Sequence, residues 1–407
     1  MGGGRPFDRL PLGRTARRGR RVTGTSTPVA GADDLDALRG EVRRWARRRI
    51  APLIADVDRT QRFSRELWER LREMEMFSLP FSEDVGGAGG TFSAYVAATE
   101  EIARAGAIAA LYPGTTVQVA DTLLRLGSPA AVRRWVPGLL AGDVVAAWAF
   151  TEPQTGSDPR QLRTEARRDG DDWILDGAKQ FISYAGVCSL ALVFARTPGD
   201  KVGAFLVDTT TPGWSTGPPV EVLGLGGGEP APVYLDGVRV PADHVVGDPA
   251  RGFEAMLAGE SQGKVRASAI CVGIAQRALD EAVGYALRRT HRDQPIGRKF
   301  ASIQAHLADT QADVLAARAL VRSVAAMVDQ GRPVAREAAA ARLVAGRTAR
   351  EAAGSALQVC GAYGWTREME VERLFRESKF FEVTQGSAEI QRAIVARELL
   401  NAGEEAL

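Results

Sequence analysis

Gly259-Glu260-Ser261-Gln262-Gly263 has the G-x-S-x-G spacing that presents a serine nucleophile on a sharp strand-to-helix turn. Phe253 to Ala258 before it read as helix rather than strand, so a helical segment is expected here and not a hydrolase elbow. Gly224-Leu225-Gly226-Gly227-Gly228 looks like a phosphate-cradling loop, yet Glu229-Pro230-Ala231-Pro232 and a strand follow it. With no helix N-terminus to hold an anion, a plain loop is expected. Three histidines (His244, His291, His306) and three cysteines (Cys188, Cys271, Cys360) lie far apart, without metal-ligand spacing, and suggest neither a metal site nor a disulfide framework. Carboxylates remain as acid–base candidates. Glu260 lies three residues before Gly263, one turn away on nearly the same face of a continuous helix. Glu382 stands three residues before Gln385, whose amide is far too weak a base to take a proton.

The elements that position these groups follow from periodicity. From Asp34 to about Ala141 the pattern is helical, as in Leu67, Leu71 and Met74 and then Ala97 to Ala110, with breaks expected at Ser82 to Gly90 and at Tyr112-Pro113-Gly114. Between Val144 and about Val246 short strands take over, at Trp173 to Gly177, Ser189 to Ala195, Gly203 to Val207 and Pro232 to Pro241. After Gly252 the helical period returns in Ala- and Leu-rich runs such as Ala305 to Val328 and Val334 to Leu357, as in a helix bundle. An α, then β, then α order argues against a doubly wound parallel sheet.

At 407 residues, 45% hydrophobic and 25% charged, the composition is that of a soluble globular protein. A net charge of +2 gives no reason to expect nucleic acid, and no apolar run is long enough to span a membrane. A cytoplasmic, reducing compartment is expected. Residues 1–33 are Gly-, Pro- and Arg-rich and read as a disordered tail, since they offer little apolar surface to offset ordering. Lysine occurs only at Lys179, Lys201, Lys264, Lys299 and Lys379, and the dominance of arginine suggests a GC-rich bacterial genome.

Four stretches, in order, resemble motifs of acyl-CoA dehydrogenases: Ala149-Phe150-Thr151-Glu152-Pro153-Gln154-Thr155-Gly156-Ser157-Asp158, Lys179-Gln180-Phe181-Ile182-Ser183, Gln358-Val359-Cys360-Gly361-Ala362-Tyr363-Gly364, and Phe380 to Arg392. The resemblance covers about residues 35 to 400. It implies an α+β fold, with an N-terminal helical domain over 34–143, a central β domain over 144–250 and a C-terminal four-helix bundle over 251–407. It also implies FAD between β domain and bundle. By the same resemblance Trp148, Phe150 and Thr151 line the flavin ring, Gly156 and Ser157 allow close backbone approach to cofactor and thioester, and Ser183 meets the ring at N5. Phe181 replaces the usual tryptophan at the ring's edge. Ser387, Glu389 and Gln304 belong to the implied cofactor set, as do Arg292, reaching a partner's flavin pyrophosphate, and Gln358, Gly361 and Ala362, through which a neighbouring subunit touches the dinucleotide. Strict register puts Asp293 where the family has an arginine, so Arg292 or Arg289 is expected to serve after a one-residue slip. A homotetramer or homodimer is thereby implied.

Ser157, Ser261, Gly263, Lys264, Thr384 and Gly386 are the implied substrate contacts. In the family a glutamate base stands at the position of Gln385 or, in some members, of Gly263, and neither is a carboxylate here. Dehydrogenation of an acyl thioester needs an α-proton removed and a β-hydride transferred, so a non-standard base is required, for which Glu260 is the candidate. The leading expectation is an FAD-dependent dehydrogenase-like oxidoreductase of an acyl-CoA or acyl-carrier-protein thioester in specialised metabolism, with electron-transfer flavoprotein or O₂ as acceptor. A flavin-dependent monooxygenase, which needs no α-proton base, and a non-catalytic thioester-binding protein are the alternatives.

Overall fold

The computed structural model describes residues 32–158 and 161–406. The tail expected over residues 1–33 lies outside the described residues, apart from Ala32 and Asp33, which open the first helix. Six helices come first: α1 (Ala32–Arg49), α2 (Ala51–Thr60), α3 (Arg65–Glu73), α4 (Phe92–Ala105), α5 (Ala107–Leu126) and α6 (Pro129–Ala141). Ser64, Thr91 and Ser128 cap α3, α4 and α6 by accepting backbone N–H groups, which satisfies donors that the first turn leaves unpaired.

Two sequence expectations in this layer are corrected. Tyr112-Pro113-Gly114 does not break the chain but lies inside α5. Pro113 removes one helical hydrogen bond, yet the turn around it is buried, and Tyr112 is anchored by accepting Ser64 N–H (2.8 Å) and donating to the Gly227 carbonyl (3.1 Å). The break falls instead at Gly106, within the run read as one helix from Ala97 to Ala110. A side chain there would begin 2.2 Å from Ile54 Cδ1, so only glycine permits that approach.

The middle of the chain forms a seven-stranded sheet: β1 (Ala146–Ala149), β2 (Glu165–Asp169), β3 (Asp172–Ile182), β4 (Leu190–Thr197), β5 (Lys201–Asp208), β6 (Trp214–Thr216) and β7 (Ala231–Val240). Strand order is β1-β4-β2-β3-β7-β6, with β5 paired antiparallel along the length of β4. β1 runs parallel to β4, Trp148 opposite Leu192. The sequence reading missed β1, β2 and β6, which are short or charged and lack apolar alternation. It also stopped β3 five residues early, at Gly177, where a register shift interrupts pairing with β7.

The bundle contains α7 (Gly252–Arg288), a hairpin of β8 (Thr290–His291) and β9 (Gln294–Pro295), α8 (Ile296–Lys299), α9 (Ala301–Asp329), α10 (Ala335–Cys360), α11 (Val371–Val383) and α12 (Ala388–Ala406). α7 runs unbroken through Gly259 to Gly263, so Ser261 sits mid-helix and forms no nucleophile elbow. Buried alanines at helical spacing on α10 (Ala338, Ala341, Ala345, Ala349, Ala352) face those of α7 and let the two helices pack closely.

Buried ion pairs join the helical layer to the bundle. Arg39 on α1 grips Glu100 on α4 through two hydrogen bonds of 2.9 and 2.6 Å, and Arg318 on α9 reaches the same carboxylate at 2.8 Å. Burial pushes the Glu100 carboxyl up, but bonding and charge from Arg39 and Arg318 outweigh it and hold the group below its ordinary value of 4.5. A carboxylate depressed in the fold contributes stability above its unfolded pKa, and that stability fades as pH falls through the folded one. Unfolding temperatures of the protein and of Glu100→Gln should therefore differ most near neutrality and converge below pH 4.5. A gap that does not narrow as pH falls below 4.5 would contradict this account.

Candidate active site

The two strand ends that carry the flavin-type motifs are stitched together by one buried lysine. Trp148 on β1 packs against Phe194 of β4 with ring centroids 5.1 Å apart, and Phe150 meets the same ring at 5.7 Å. Lys179, on β3 and fully buried, donates to Glu152 Oε1 at 2.7 Å, to the Phe194 carbonyl at 2.5 Å and to the Phe150 carbonyl at 3.3 Å. Gln180 N–H donates to the Thr151 carbonyl at 2.8 Å. Burial pulls the Lys179 ammonium down to about 8 against the opposing charge of Glu152. The Glu152 carboxylate also accepts the backbone N–H groups of Arg163 (2.7 Å) and Thr164 (3.0 Å), which pins the far end of the loop that carries Gly156 and Ser157. Both of those residues are exposed.

At the end of β3, Phe181 is 58% exposed and has φ of 57°. A bulky residue in the left-handed region costs on the order of 1–2 kcal/mol and is held there by its surroundings. Ser183 follows, half-buried, and Tyr184 N–H ties the turn to the Gly228 carbonyl at 2.7 Å. The Gly224 to Gly228 stretch is a packing contact: side chains at Gly226 and Gly227 would begin 2.6 Å from Gln61 Cβ and 2.5 Å from Val57 Cγ1. An exposed aromatic face on a strained backbone, beside half-buried Trp148, Thr151 and Ser183, fits a flat, partly apolar ring with polar edges.

Gln385 lies between α11 and α12, exposed, at φ of 52°. Thr384 caps α11 by donating its hydroxyl to the Phe380 carbonyl at 2.8 Å, and Gly386 continues the turn at φ of 77°. Arg342, buried on α10, donates to the Thr384 carbonyl at 3.4 Å. Gln391 Nε2 donates to the carbonyls of Gln385 and Gly386 at 3.3 and 3.0 Å. Ser387 and Glu389 open α12, and Glu389's own backbone N–H, with Ser387, holds that carboxyl below the ordinary range. Glu382 is engaged by Arg350 (2.8 Å) and Lys379 (2.7 Å), so its path leads to an ion pair on the bundle surface.

On α7, Gly259, Gln262, Gly263 and Arg266 share one face and line a small cavity with α4 and α5. Glu260 flanks that face, half-buried, with Oε1 3.0 Å from Nζ of buried Lys264. Ser261 is half-buried one residue on.

The remaining cofactor candidates lie on the outside of the bundle. Arg292 and Asp293, with φ of 49° and 62°, are the two central residues of the β8–β9 hairpin, a turn that needs positive φ at both. Gln304 donates to the Gly297 carbonyl at 3.1 Å. Gln358, Gly361 and Ala362 are exposed, and Gly361 adopts φ 58°, ψ −138°, a region open in practice to glycine alone. No described hydrogen bond or ring contact joins these residues to Thr151, Phe181 or Ser183 within the chain. All three cysteines are buried, with burial pushing Cys188 up to about 12 and Cys271 and Cys360 to about 11, so none is poised as a nucleophile. Among the described residues no group of three or more His, Cys, Asp or Glu side chains is placed to hold a metal, and no helix is long and apolar enough to cross a membrane.

Reading the sequence did not identify the Glu152–Lys179 pair, although both residues stand in the quoted motifs. Nor did it identify Arg266 or Tyr95, which no local pattern marks.

Comparison with known proteins agrees with this geometry. Three domain models match end to end: acyl-CoA dehydrogenase N-terminal domain over residues 32–143, middle domain over 147–238 and C-terminal domain over 250–400. The chain belongs to the acyl-CoA dehydrogenase family, and is an acyl-CoA dehydrogenase-like oxidoreductase that uses FAD. It is 35% identical to a probable acyl-CoA dehydrogenase, YngJ, of Bacillus subtilis, with 89% of this chain and 97% of that protein covered. It is 32% identical to a 3-(aryl)acrylate reductase of Clostridium sporogenes, covering 90% and 98% of the two. Among solved structures, butyryl-CoA dehydrogenase from Megasphaera elsdenii superposes with a TM-score of 0.88 at 28% identity, over 92% of this chain and 100% of that one.

Proposed function

We propose that this protein oxidises or reduces the α,β carbon–carbon bond of an acyl thioester in specialised metabolism, with Glu260 in place of the usual base. The observation that carries this reading is the pairing of a flavin-type edge at Trp148, Thr151, Phe181 and Ser183 with an amide at Gln385 and a glycine at Gly263. Bound FAD supplies the hydride-accepting ring. Trp148, Phe150 and Phe181 offer that ring apolar walls, and the hydroxyls of Thr151 and Ser183 offer its polar edge hydrogen bonds. Gln385 offers its backbone N–H to the thioester oxygen, where charge develops as the α-proton leaves.

Glu260 is one turn of α7 from Gly263 and paired with Lys264, a partner that can turn with it. The bond at 3.0 Å must loosen for Glu260 to swing toward the Gly263 face. The Clostridium sporogenes relative is named for reducing an acrylate. In that direction the same group delivers a proton to the α-carbon rather than removing it.

Residues Arg292, Gln304, Gln358, Gly361 and Ala362 then serve a dinucleotide held by a second copy of the chain. The 90% exposure of Trp365 beside them supports such an interface. Anaerobic mixing of the flavin-loaded protein with candidate acyl thioesters tests the reading: the flavin absorbance should bleach, and Glu260→Gln should slow bleaching about 100-fold or more while leaving flavin content unchanged. Unchanged bleaching removes Glu260 from the mechanism. Turnover that depends on O₂ and an external flavin reductase would instead indicate an oxygenase.

A further inference from the structure

The small cavity behind Gly263 holds a cation that forms no ion pair among the described residues. Arg266, three residues further along α7, is 4% exposed, and its Nη1 donates to the Gly114 carbonyl at 2.6 Å. Its Nε has no partner, and no carboxylate among the described residues forms an ion pair with it. A side chain at Gly114 would begin 2.7 Å from the guanidinium carbon, so that glycine makes the room in which the cation sits.

The Tyr95 hydroxyl, on α4, is also buried, with no well-formed hydrogen bond, and lies against Arg266. Burial raises its pKa, and the charge and side-chain hydrogen bonding of Arg266 partly offset the rise. Gln118 and Val117 of α5 and Phe92 of α4 close the walls around about 10 Å³ of space, enough for one water-sized group while Gln118 stays in place. Asp121 also lines the cavity, its two oxygens held by Arg125 Nε at 3.0 and 2.9 Å. A buried guanidinium with no ion-pair partner among the described residues and a free Nε, beside a buried hydroxyl, has the chemistry of a carboxylate receptor.

Gly263 opens the way in. A side chain there would meet nothing nearer than Gln118 Oε1, at 3.7 Å. Three residues of helix advance roughly 4.5 Å, the reach of a chain two or three bonds beyond an α-carbon lying at Gly263.

We propose that Arg266 and Tyr95 receive a carboxylate at the far end of a short acyl group, so that the substrate is the monothioester of a dicarboxylic acid with about four or five carbons. Gln118 turns aside to admit it. This inference rests on the acyl-thioester reading above, and names the acyl class for that same site.

The test uses the flavin-loaded protein and two matched pairs of probes: succinyl-CoA against butyryl-CoA, and glutaryl-CoA against pentanoyl-CoA. Binding is read from the flavin spectrum under anaerobic conditions. The dicarboxylic member of at least one pair should bind about 10- to 100-fold more tightly than its neutral match, the span expected of hydrogen bonds to a charged partner. Arg266→Met should abolish that preference, and Arg266→Lys should keep part of it. Because Arg266→Met removes an unpaired buried charge, it should also raise the unfolding temperature of the ligand-free protein, a change that the same variant would not give if Arg266 were a structural prop. Tighter binding of both neutral thioesters overturns the dicarboxylic assignment and leaves the acyl-thioester reading standing. Absence of any spectral response to all four overturns both. The wild-type comparison decides the matter even where a variant fails to hold flavin.

Discussion

In a Glu260→Gln background, Gln385→Glu should restore thioester-dependent flavin reduction by about 10²- to 10⁴-fold, the range that one positioned acid–base group contributes. The loop is already shaped for the exchange. Gln385 holds its φ of 52° through contacts to the backbone around it: Arg342 on the Thr384 carbonyl, and Gln391 on the carbonyls of Gln385 and Gly386. None of these uses the Gln385 side chain, so a glutamate of nearly equal size meets the same backbone and the same exposure. An amide has no proton affinity at neutral pH, whereas a carboxylate at that position does. Stopped-flow bleaching by the best thioester of the parent protein is the measurement. If the double variant retains flavin yet stays at the Glu260→Gln rate, the site has been remodelled beyond its missing base, and dehydrogenation is not what it performs.

Lys179→Met should destabilise the protein by about 3–5 kcal/mol, because it strands the Glu152 carboxylate in a dry site. The effect should extend to cofactor content, since Lys179 is the one side chain that bonds Glu152, the Phe150 carbonyl and the Phe194 carbonyl together. Releasing it frees the Thr151 strand end and the loop with Gly156 and Ser157, which are held through Glu152 to Arg163 and Thr164. Urea unfolding and the ratio of flavin to protein absorbance report the two effects separately. Adding Glu152→Gln to Lys179→Met should recover a large part of the lost stability, as expected when the penalty is an unpaired buried charge rather than a lost contact. Equal stability of Lys179→Met and the parent protein would show that the pair is solvated and that the strand ends are held by the sheet alone.

The order of the three domains was legible in the sequence because each has its own local signature. Apolar residues at three- and four-residue spacing mark α3, α9 and α10, and short continuous apolar runs of Leu, Val, Phe and Ala mark β4 and β5. The motif residues from Trp148 to Ser183 were legible, and so were the amide at Gln385 and the glycine at Gly263. These are properties of neighbouring residues, and a chain displays them before it folds.

What the tertiary structure decided depends on residues far apart in sequence. Pro113 stays inside α5 because burial and the Tyr112 anchors outweigh one missing hydrogen bond. Gly106 breaks the helical run because Ile54 occupies the space of its missing side chain. Glu260 is a flanking, lysine-bound carboxylate because Lys264 is buried one turn beyond it. Tyr95 and Arg266, 171 positions apart in the numbering, share a cavity only because α4 and α7 pack together. The sequence alone marked the family and showed an amide at Gln385 and a glycine at Gly263. Packing decided which side chains surround the gap, since burial, charge pairing and the room left by a glycine exist only once distant segments meet.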